Sequence, residues 1–540
     1  MPPLPLPSLL TLATALALTT PALAAPGDLD GNFGSAGTMT AAFTAGDDFG
    51  NAVALQTDQK ILIAGESNAG DFALLRLNTN GSVDTNFGSG GKFTQSFGIF
   101  ESARGVAVQS SKKIIVGGAG LVVSRDFAVM RCLENGTLDT SFGTGGVTTT
   151  DIQSGFNDQV YAMALQTNDR IILAGSYRTN VALVRYLADG ALDPGFGTGG
   201  KVFNPATTTT EEVANAVVVQ GDDRIVIAGY SRTGSNTDFL VARYLSTGAP
   251  DTTFGTGGKV IAPVGLGNTS DVANSVVVLS SGKILVAGTS GGDFAMMRFT
   301  NTGVLDTTFA IGGGITIDFT GATDAGYGLA VQPDGKILLT GTSNTGGRDY
   351  FAILRFTAAG ALDTAFNTNG GNLVAVTAGS DSARCIALQN DGRIVVAGSG
   401  GLAGNKDFAV ARYESAGVQT LAEWRQLYFG TTANSGNAAD NFDFDKDGVV
   451  NLLEYSFGLN PTDRSSHQLP LPQRTGGNFV TAFATPGTVT GVTYTAEWST
   501  SLTAGTWTVI PNTGTGSQHL FSVPTAGKVK LFTRLKVAVP

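Results

Sequence analysis

The sequence has little charge and very little histidine or cysteine for its length. Only 14% of its 540 residues are charged, whereas an average soluble protein has about 25%. It contains two His and two Cys. Neither histidine precedes His467, so Ser-His-Asp and Cys-His catalysis are excluded from the first 466 residues. The composition, with 74 Gly, is typical of a secreted β-protein.

The chain also lacks a basic surplus and a long apolar run. Its formal charge of -10 argues against nucleic-acid binding, which needs a clustered basic face. The run Leu9 to Leu18 is shorter than the roughly 20 residues of a membrane span, and the small-x-small motif Ala22-Leu23-Ala24 follows it. We predict a bacterial Sec signal peptide at 1–24, with an N-terminal anchor as the alternative. The mature protein is then expected to be secreted or on the cell surface, monomeric and without a membrane span.

A repeat unit, clearest from Gln332 to Phe366, fills most of the chain. An Ile-x-x-Ala/Gly-Gly element, an FAxxR-like element and a Leu-Asp-x-x-Phe-Gly element each occur seven times, with a period of 54 to 58 residues. Each unit holds four short runs rich in Val, Ile, Phe and Thr, separated by Gly, Asp and Asn, which we call strands A to D. Cys132 and Cys385 fall where other copies have apolar or small residues, so we predict core packing for both.

Four strands per unit and seven units predict an all-β protein built on a seven-bladed β-propeller at 25–417. The alternative is an open solenoid. The chain opens with a Leu29-Asp30-x-x-Phe33-Gly34 element and ends its last unit at Tyr413 without one. We therefore expect the segment from Leu29 to Phe43 to complete the last blade, which removes a free sheet edge.

The motifs QPDGKILLTG, RDYFAILRF and LDTSFGTGG resemble those of the bacterial delta-60 repeat proteins. The resemblance covers residues 26 to about 417 and implies a propeller-like repeat fold, without implying an activity. Some copies depart from the pattern, since Ala310 and Asn367 replace the Gly that follows the motif Phe elsewhere.

The repeats differ in length in only two of their connections. The spacing from the B-strand Gln to the next Ile is always 5 residues, and that from the D-strand Arg to the next motif Phe is always 11, whereas the A–B and C–D connections vary. Because strands alternate in direction, both variable connections emerge on one face of the ring, which we call the variable face and predict to bind the ligand. The side chains expected there are Phe49, Phe100, Phe156, Tyr161, Tyr177, Tyr230 and Tyr327, with Asp47, Asp48, Asp158, Glu211, Glu212, Asp271, Asp324 and Asp381. The alternative is that these rings pack under their own loops.

Seven D-strand arginines and the seven aspartates of the Leu-Asp element recur in register. A catalytic residue is needed once, so we predict that these residues form a structural pair in every blade. We predict no enzymatic activity and a binding or adhesion role for an extracellular glycan or protein ligand. The alternative is an extracellular polysaccharide-degrading hydrolase or lyase with carboxylates in the central pocket.

After the repeats, the twelve residues from Asp443 to Glu454 match the EF-hand loop pattern. Such a loop supplies oxygen ligands at fixed positions, with a Gly at the sixth for a sharp turn, here Gly448. We predict a Ca²⁺ site in a segment at 418–465, with helices on both sides of the loop. Its ligands are Asp443, Asp445, Asp447, the Val449 carbonyl, Asn451 and Glu454.

The acidic loop resembles single EF-hand and dockerin-like modules of secreted bacterial proteins, but it has no second copy, and the stretch at 431–439 interrupts the entering helix. The resemblance implies that calcium acts as a local structural staple.

The remaining residues, 466–540, contain alternating runs such as VTYTAEWST and VKLFTRLKVAV, which predict a small β-sandwich of about six strands. Its role in sorting, anchoring or carbohydrate binding stays open.

Overall fold

The computed structural model describes residues 25–98, 101–121, 125–153, 155–203, 210–264, 269–367, 369–415, 421–429, 431–462, 464, 467–486, 489, 491–503, 506–514 and 518–539. The predicted signal peptide at 1–24 and Phe100 lie outside these ranges. None of the helices in the described part is long and apolar enough to cross a membrane.

Twenty-eight strands form seven four-stranded antiparallel sheets, one for each repeat. In chain order they are β1 (Thr38–Ala41), β2 (Phe49–Leu55), β3 (Ile61–Glu66), β4 (Phe72–Leu77), β5 (Lys92–Gln95), β6 (Ser102–Val108), β7 (Ile114–Leu121), β8 (Arg125–Cys132), β9 (Val147–Thr150), β10 (Asp158–Leu165), β11 (Ile171–Tyr177), β12 (Asn180–Tyr186), β13 (Lys201–Phe203), β14 (Glu211–Val219), β15 (Ile225–Thr233), β16 (Asn236–Tyr244), β17 (Lys259–Ala262), β18 (Asp271–Val278), β19 (Ile284–Ser290), β20 (Asp293–Phe299), β21 (Gly314–Ile317), β22 (Asp324–Val331), β23 (Ile337–Thr345), β24 (Arg348–Phe356), β25 (Gly371–Val374), β26 (Ser380–Leu388), β27 (Ile394–Leu402) and β28 (Asn405–Tyr413).

Blades 1 to 6 each consist of four consecutive strands, starting with β2–β5 and ending with β22–β25. Blade 7 has the order β1-β28-β27-β26, so its outermost strand comes from the N-terminal segment. Thr38 pairs with Ala411, and Leu29 makes a bridge to Tyr413. The prediction that the segment from Leu29 to Phe43 completes the last blade is confirmed.

Seven apolar clusters, one at each junction between blades, form the core of the ring. The cluster that joins blade 7 to blade 1 contains Val395 and Phe408 with Ile63 and Leu75, all fully buried. At this junction the Asp48 amide also donates to the Lys406 carbonyl at 2.6 Å. The apolar core is thus continuous around the ring, and the open solenoid is excluded.

Each junction is also fastened by a repeated polar clasp. The D-strand Arg donates through Nε to the Asp of the Leu-Asp element, as Arg131 does to Asp139 at 2.7 Å, and all seven predicted pairs form. The same guanidinium lies over the motif Phe, with 4.8 Å from Arg131 Cζ to the Phe142 centroid, and donates to a carbonyl of the following unit, here Ala188 at 2.6 Å. A cation stacked on an aromatic ring and bound to a buried carboxylate holds both elements in place.

A second cationic side chain, a Lys or Arg just before the C strand, also pairs with each of these carboxylates. The recurring Arg and Asp of the sequence motifs do not predict it. Lys283 Nζ lies 2.8 Å from Asp306 Oδ2, beside Arg298 Nε at 2.7 Å. The hydrogen bonds from Lys283, from the Thr308 hydroxyl and from Arg298 hold the pKa of Asp306 well below its usual range, although burial opposes them. The carboxylate of Asp306 is therefore ionised at neutral pH.

The part of the chain after the propeller contains two short α-helices and two small sheets. Helix α1 spans Leu421–Phe429, and a 3-10 turn follows at Gly436–Ala438. Helix α2 (Asn451–Phe457) ends at Gly458, whose φ is 65°. The six strands are β29 (Gln473–Thr475), β30 (Asn478–Ala484), β31 (Thr493–Ser499), β32 (Thr508–Ile510), β33 (Gln518–Pro524) and β34 (Phe532–Ala538). They form two three-stranded sheets, β29-β30-β33 and β32-β31-β34.

The two small sheets share one apolar core, in which Tyr494 and Ala496 of one sheet meet Phe521 and Val523 of the other. Phe457 of α2 joins this core, 5.5 Å between ring centroids from Tyr494, whose hydroxyl donates to the Ser456 carbonyl. On the other side of α2, Tyr455 contacts Trp424 of α1 at 5.8 Å between centroids. Helix α2 thus connects α1 to the C-terminal sheets.

Candidate functional site

The innermost strands of the seven blades line a central channel of about 450 Å³. Each of these strands carries a β-bulge at the same position, for example between Gly50 and Ala52 in β2 and between Ala383 and Cys385 in β26. A bulge leaves one residue out of the ladder and redirects its side chain. We call these seven residues the channel ring: Asn51, Arg104, Tyr161, Asn215, Asn274, Tyr327 and Arg384.

The channel ring lies toward the variable face. Each of its residues follows the acid that begins the inner strand by three positions, as Asn51 follows Asp48, and precedes the Gln or Leu that ends the strand by five. The inner strand begins at the A–B connection, which is on the variable face. By position along the strand, the ring therefore lies somewhat nearer to the variable face than to the opposite face.

Two arginines and two tyrosines give this ring its chemistry. Arg104 and Arg384 are both reached by solvent, although protein surrounds them. Burial lowers the pKa of Arg104, Glu66 opposes this shift, and the nearby charge of Arg384 adds to it. The guanidinium of Arg384 lies 4.2 Å above the ring of Tyr327. The described lining residues of the channel include no Asp or Glu.

The three asparagines connect each inner strand to the next blade. Asn51 Nδ2 donates to the Ala103 carbonyl at 3.1 Å, Asn215 Nδ2 to the Ala273 carbonyl at 3.0 Å, and Asn274 Nδ2 to the Gly326 carbonyl at 2.8 Å. Their side-chain nitrogens are therefore occupied. Each amide keeps a carbonyl oxygen, of which that of Asn274 accepts from Asn215 at 3.3 Å.

The acids predicted to bind ligand on the variable face are structural. Asp48, Asp158, Asp271, Asp324 and Asp381 are fully buried. Each accepts hydrogen bonds from backbone amides of its own A–B loop, as Asp271 does from Val264 at 2.8 Å and Asp324 from Phe319 at 2.7 Å. Glu211 and Glu212 pair instead with Arg232 and Lys259. The five aspartates share a constant position, eight residues before the strand-ending Gln or Leu, and this regularity is the sequence signal of their structural role.

The aromatic residues predicted for that face divide into two groups. Tyr177 is buried and stacks edge-on with Phe156 at 5.9 Å between centroids, while the Tyr230 hydroxyl donates to Glu211 at 2.8 Å. These rings support their own loops, which was the alternative left open by the sequence. Tyr161 and Tyr327 lie in the channel ring, and only these two line the channel.

Two groups of three aspartates also occur at junctions between blades. They are Asp126, Asp151 and Asp158, and Asp293, Asp318 and Asp324, and in each group the carboxylate oxygens lie within 4.8 Å of one another. Burial raises the pKa of Asp158 to about 7. The neighbouring carboxylates of Asp151 and Asp126 contribute to this rise, and the hydrogen bond from the Ile152 amide opposes it. The groups are close enough to hold a cation. In the group that contains Asp151, the Lys201 ammonium donates to the Asp151 backbone carbonyl at 2.6 Å. A positive charge therefore already lies beside these three carboxylates.

The acidic loop after α1 brings its predicted ligands together. Oxygens of Asp443, Asp445 and Asp447 lie within 4.8 Å of one another. The Gly448 amide, at a φ of 98°, donates to Asp443 Oδ2 at 3.0 Å, and the Val449 amide donates to Asp447 Oδ1 at 2.8 Å. These bonds fold the loop back around its acidic side chains.

Glu454, in the first turn of α2, faces the three aspartates and is fully buried. Burial raises its pKa to about 8, with Asp445, Asp447 and Asp443 contributing. Both of its carboxylate oxygens, together with Asp445 Oδ2 and Asp447 Oδ2, are buried without a hydrogen-bond partner among the described residues. Buried carboxylate oxygens without donors fit a divalent cation.

Asn451 has a second task in this loop. Its Nδ2 donates to the carbonyls of Asn437 and Ala439, at 2.9 and 2.8 Å, which ties the loop to the preceding 3-10 turn. Its Oδ1 is buried without a partner among the described residues. Of the six predicted ligands, the structure thus shows unpartnered side-chain oxygens on Asp445, Asp447, Asn451 and Glu454.

Seven segments of the chain match the family model described as "Domain of unknown function (DUF5122) beta-propeller". All but the last run from the Gln or Leu at the end of an inner strand to the next motif Phe. The matched residues are 56–87, 109–142, 166–196, 220–254, 279–309, 332–366 and 389–419. The chain therefore carries seven β-propeller repeats of this type, as its sequence predicts.

Among proteins of curated function, none matches this chain in sequence. Solved structures with a similar fold include an inactive virginiamycin B lyase from Staphylococcus aureus with quinupristin, at 8% identity and a TM-score of 0.42, over 69% of this chain and 98% of that one. They also include a polysaccharide lyase, an ulvan lyase, at 12% and 0.42, over 70% and 96%. Drosophila Plexin A in complex with Semaphorin 1b matches at 9% and 0.35, over 72% and 88%. Likenesses this distant carry no information on activity.

Proposed function

We propose that this protein is a secreted or cell-surface, non-enzymatic binding protein, and that its ligand enters the central channel from the variable face. The observation that carries this proposal is the channel ring. At the motif positions the seven blades repeat Arg, Asp and Phe almost without change. At the bulge positions, which converge on one opening, they carry Asn, Arg and Tyr in an unequal mixture.

This contrast separates scaffold from site. A residue needed for the ring to close is needed in every blade, because every junction has the same geometry. Positions that face a common space can each take a different residue, and together they form a single asymmetric surface. Loops and strand ends on a rigid scaffold are the usual place for binding residues.

The test is a binding assay of the full chain on a glycan array, with soluble extracellular proteins as a second panel. We expect binding without turnover, and we expect the double variant Tyr161→Ala and Tyr327→Ala to lose it. The matched control is Tyr230→Ala, which removes an aromatic ring from the variable face outside the channel. Release of products from a polysaccharide panel would show that the alternative, an extracellular polysaccharide-degrading enzyme, is correct.

We further propose that the acidic loop binds Ca²⁺ and acts as a local staple. The proposal is supported by the unpartnered oxygens of Asp445, Asp447, Asn451 and Glu454 and by the left-handed turn at Gly448. Asp443, whose Oδ2 accepts from Gly448, and the Val449 carbonyl complete the expected ligand set. When bound, Ca²⁺ neutralises four carboxylates that otherwise repel one another.

Calorimetric titration with CaCl₂ tests this site. We expect a dissociation constant of roughly 0.1 to 1 mM, the range of extracellular modules of this kind. Glu454→Gln is expected to weaken binding strongly, because it removes the bidentate ligand. Asp440→Asn is the control, since Asp440 pairs with Arg425 and Asn434 rather than with the loop. Equal titrations for Glu454→Gln and wild type would contradict the proposal.

A further inference from the structure

The seven residues of the channel ring are not evenly distributed. In the order of the blades, Tyr327, Arg384, Asn51, Arg104 and Tyr161 come from five consecutive blades, 6, 7, 1, 2 and 3. Asn215 and Asn274 come from blades 4 and 5 and occupy the opposite arc. One arc of the channel opening is therefore basic and aromatic, and the other presents amides.

The basic arc concentrates positive charge in a protein of formal charge -10. Arg104 and Arg384 are separated by one blade and feel each other's charge. Elsewhere in the propeller the arginines of the clasps are paired with aspartates, whereas the described lining of the channel holds no acid, and Glu66, outside that lining, only partly offsets the charge of Arg104. Two guanidiniums that repel each other in a half-enclosed space are stabilised by an anion between them, and a carboxylate is the planar partner that a guanidinium binds best.

The neighbours of the arginines are suited to a sugar ring. Stacking at 4.2 Å on Tyr327 holds Arg384 in place while leaving its edge N–H groups free to donate. Tyr161 and Tyr327 offer aromatic faces for the C–H side of a sugar and hydroxyls for its oxygens. Because the Asn51 and Asn215 nitrogens are held by the next blade, their carbonyl oxygens remain as acceptors for sugar hydroxyl groups.

We infer that the channel ring binds an acidic saccharide, with the carboxylate of a uronate residue held between Arg104 and Arg384. This inference rests on the proposed binding function and specifies its ligand class. The channel volume of about 450 Å³ is within the range of small-molecule sites. The amides of the opposite arc suit the hydroxyl groups of a sugar, which an acidic peptide does not carry at each residue.

The probes are digalacturonate and the matched neutral disaccharide of galactose, titrated into the full chain by calorimetry at 50 and 300 mM NaCl. We expect digalacturonate to bind at least tenfold more tightly than the neutral sugar, and we expect the higher salt concentration to reduce this preference. Arg104→Gln and Arg384→Gln should each weaken digalacturonate binding at least tenfold and reduce its preference over the neutral sugar. Arg384→Lys should retain the salt dependence with reduced affinity, because it keeps the charge and loses the bidentate geometry.

The control variant is Arg232→Gln, which removes a positive charge from the same face outside the channel, where Arg232 pairs with Glu211. We expect it to change digalacturonate affinity less than twofold.

If both sugars bind equally and the Arg104 and Arg384 variants behave as wild type, the ligand is not an acidic saccharide, and the channel-binding function stands. If an acidic peptide such as tetraglutamate binds with the same dependence on both arginines and digalacturonate does not, the saccharide class is wrong. If neither sugar nor the peptide binds the wild-type protein below about 10 mM, the inference fails. The glycan-array assay with the Tyr161 and Tyr327 double variant then decides whether the binding function fails as well.

Discussion

The guanidinium of Arg412 holds the carboxylate of Asp30, 382 residues earlier in the chain, with 2.9 Å from Nε to Oδ2. Arg393 Nε lies 3.0 Å from the same oxygen. In the other six blades the equivalent Arg and Asp are separated by only eight residues. The same chemical contact thus serves two purposes: six times it rigidifies a local turn, and once it closes the ring.

Replacing Asp30 by Ala should therefore do more than remove an ion pair. Because Asp30 is fully buried beside two arginines, we expect the free energy of unfolding to fall by about 3–5 kcal/mol. Asp139→Ala, which leaves Arg131 and Lys113 unpaired within one repeat, should cost a similar amount. Only Asp30→Ala should speed amide hydrogen exchange in Thr38–Ala41, and equal exchange in both variants would contradict the closing role.

Removal of residues 26–45 should expose the outer edge of β28. An unpaired strand edge recruits other chains, so we expect soluble aggregates in size-exclusion chromatography with light scattering. A synthetic peptide of residues 26–45, added during refolding, should restore the monomer, and a peptide of the same composition in scrambled order should not. A monodisperse truncated protein without added peptide would show that β1 is dispensable.

Chelation of calcium should loosen the segment around the acidic loop and leave the propeller folded. At a several-fold excess, calcium stabilises the loop by about 1–2 kcal/mol. The neighbours of Glu454 carry the effect outward, since Tyr455 contacts α1 and Phe457 contacts the C-terminal sheets. We expect limited proteolysis with EDTA to cut between 431 and 461. Glu454→Gln should be cut there with or without calcium, and identical patterns for wild type in both conditions would contradict the staple.

Glu101 should make the stability of the propeller depend on pH. Burial raises its pKa to about 7 and Asp71 adds to the shift, whereas the Phe97 amide opposes it. Between its unfolded pKa near 4.5 and about 7 the folded state binds more protons, so stability falls as the pH rises through this window and stays low above it. Glu101→Gln removes the ionisation and should gain about 2–3 kcal/mol over wild type at pH 8.5, with little change at pH 5.

The unfolding temperatures of both proteins at pH 5 and pH 8.5 measure this effect. Glu497→Gln provides the control, because hydrogen bonds from Arg534 and Lys536 lower the pKa of Glu497, so that no gain at pH 8.5 is expected. A Glu101→Gln variant with the same difference from wild type at both pH values would contradict the titration of Glu101.

Ala310 is strained at a position where other blades have Gly. Its φ is 47°, close to the 52° of Gly88 and the 53° of Gly255. A left-handed conformation costs an L-residue about 1–2 kcal/mol, so Ala310→Gly should raise the stability by about 0.5–1 kcal/mol after the loss of unfolded-state entropy is counted. Asn367 is the matched position, with a φ of 46° and an Nδ2 hydrogen bond to the Gly371 carbonyl at 3.1 Å. Asn367→Gly should therefore gain less, and a lower melting temperature for Ala310→Gly would contradict the argument.

The sequence predicts the ring because its scaffold residues recur. Arg131, Asp139 and Phe142 reappear in each repeat at fixed spacing, since each junction between blades repeats the same contacts. The Leu-Asp element at Asp30 stands before the first repeat, and the last repeat lacks one. This arrangement predicts that the N-terminal segment closes the ring. The sequence also places the carboxylates of the acidic loop together, because the side-chain positions from Asp443 to Glu454 are set by local backbone geometry, while calcium binding there stays a prediction.

The channel ring was not predictable by the same argument. Its members have three residue types, so no single type marks the bulge in every repeat, and Arg104 and Arg384 look like ordinary strand residues in the sequence. The sequence predicts the loop acids on the variable face because they lie at connections whose length varies between repeats. Whether a carboxylate such as Asp271 faces solvent or its own loop amides depends on loop conformation, which the spacing alone does not give.

The hydrogen bonds that join the two ends of the propeller also make its starting point arbitrary. The Gly27 amide donates to the Glu414 carbonyl at 2.7 Å, and the Glu414 amide donates to the Asp28 carbonyl at 2.9 Å. A short linker can bridge residues 27 and 414, and new ends can be opened at an exposed turn between any two blades, so the propeller meets the geometric condition for circular permutation. In a permuted chain the task now performed by Asp30 and Arg412 would pass to whichever blade contains the new break.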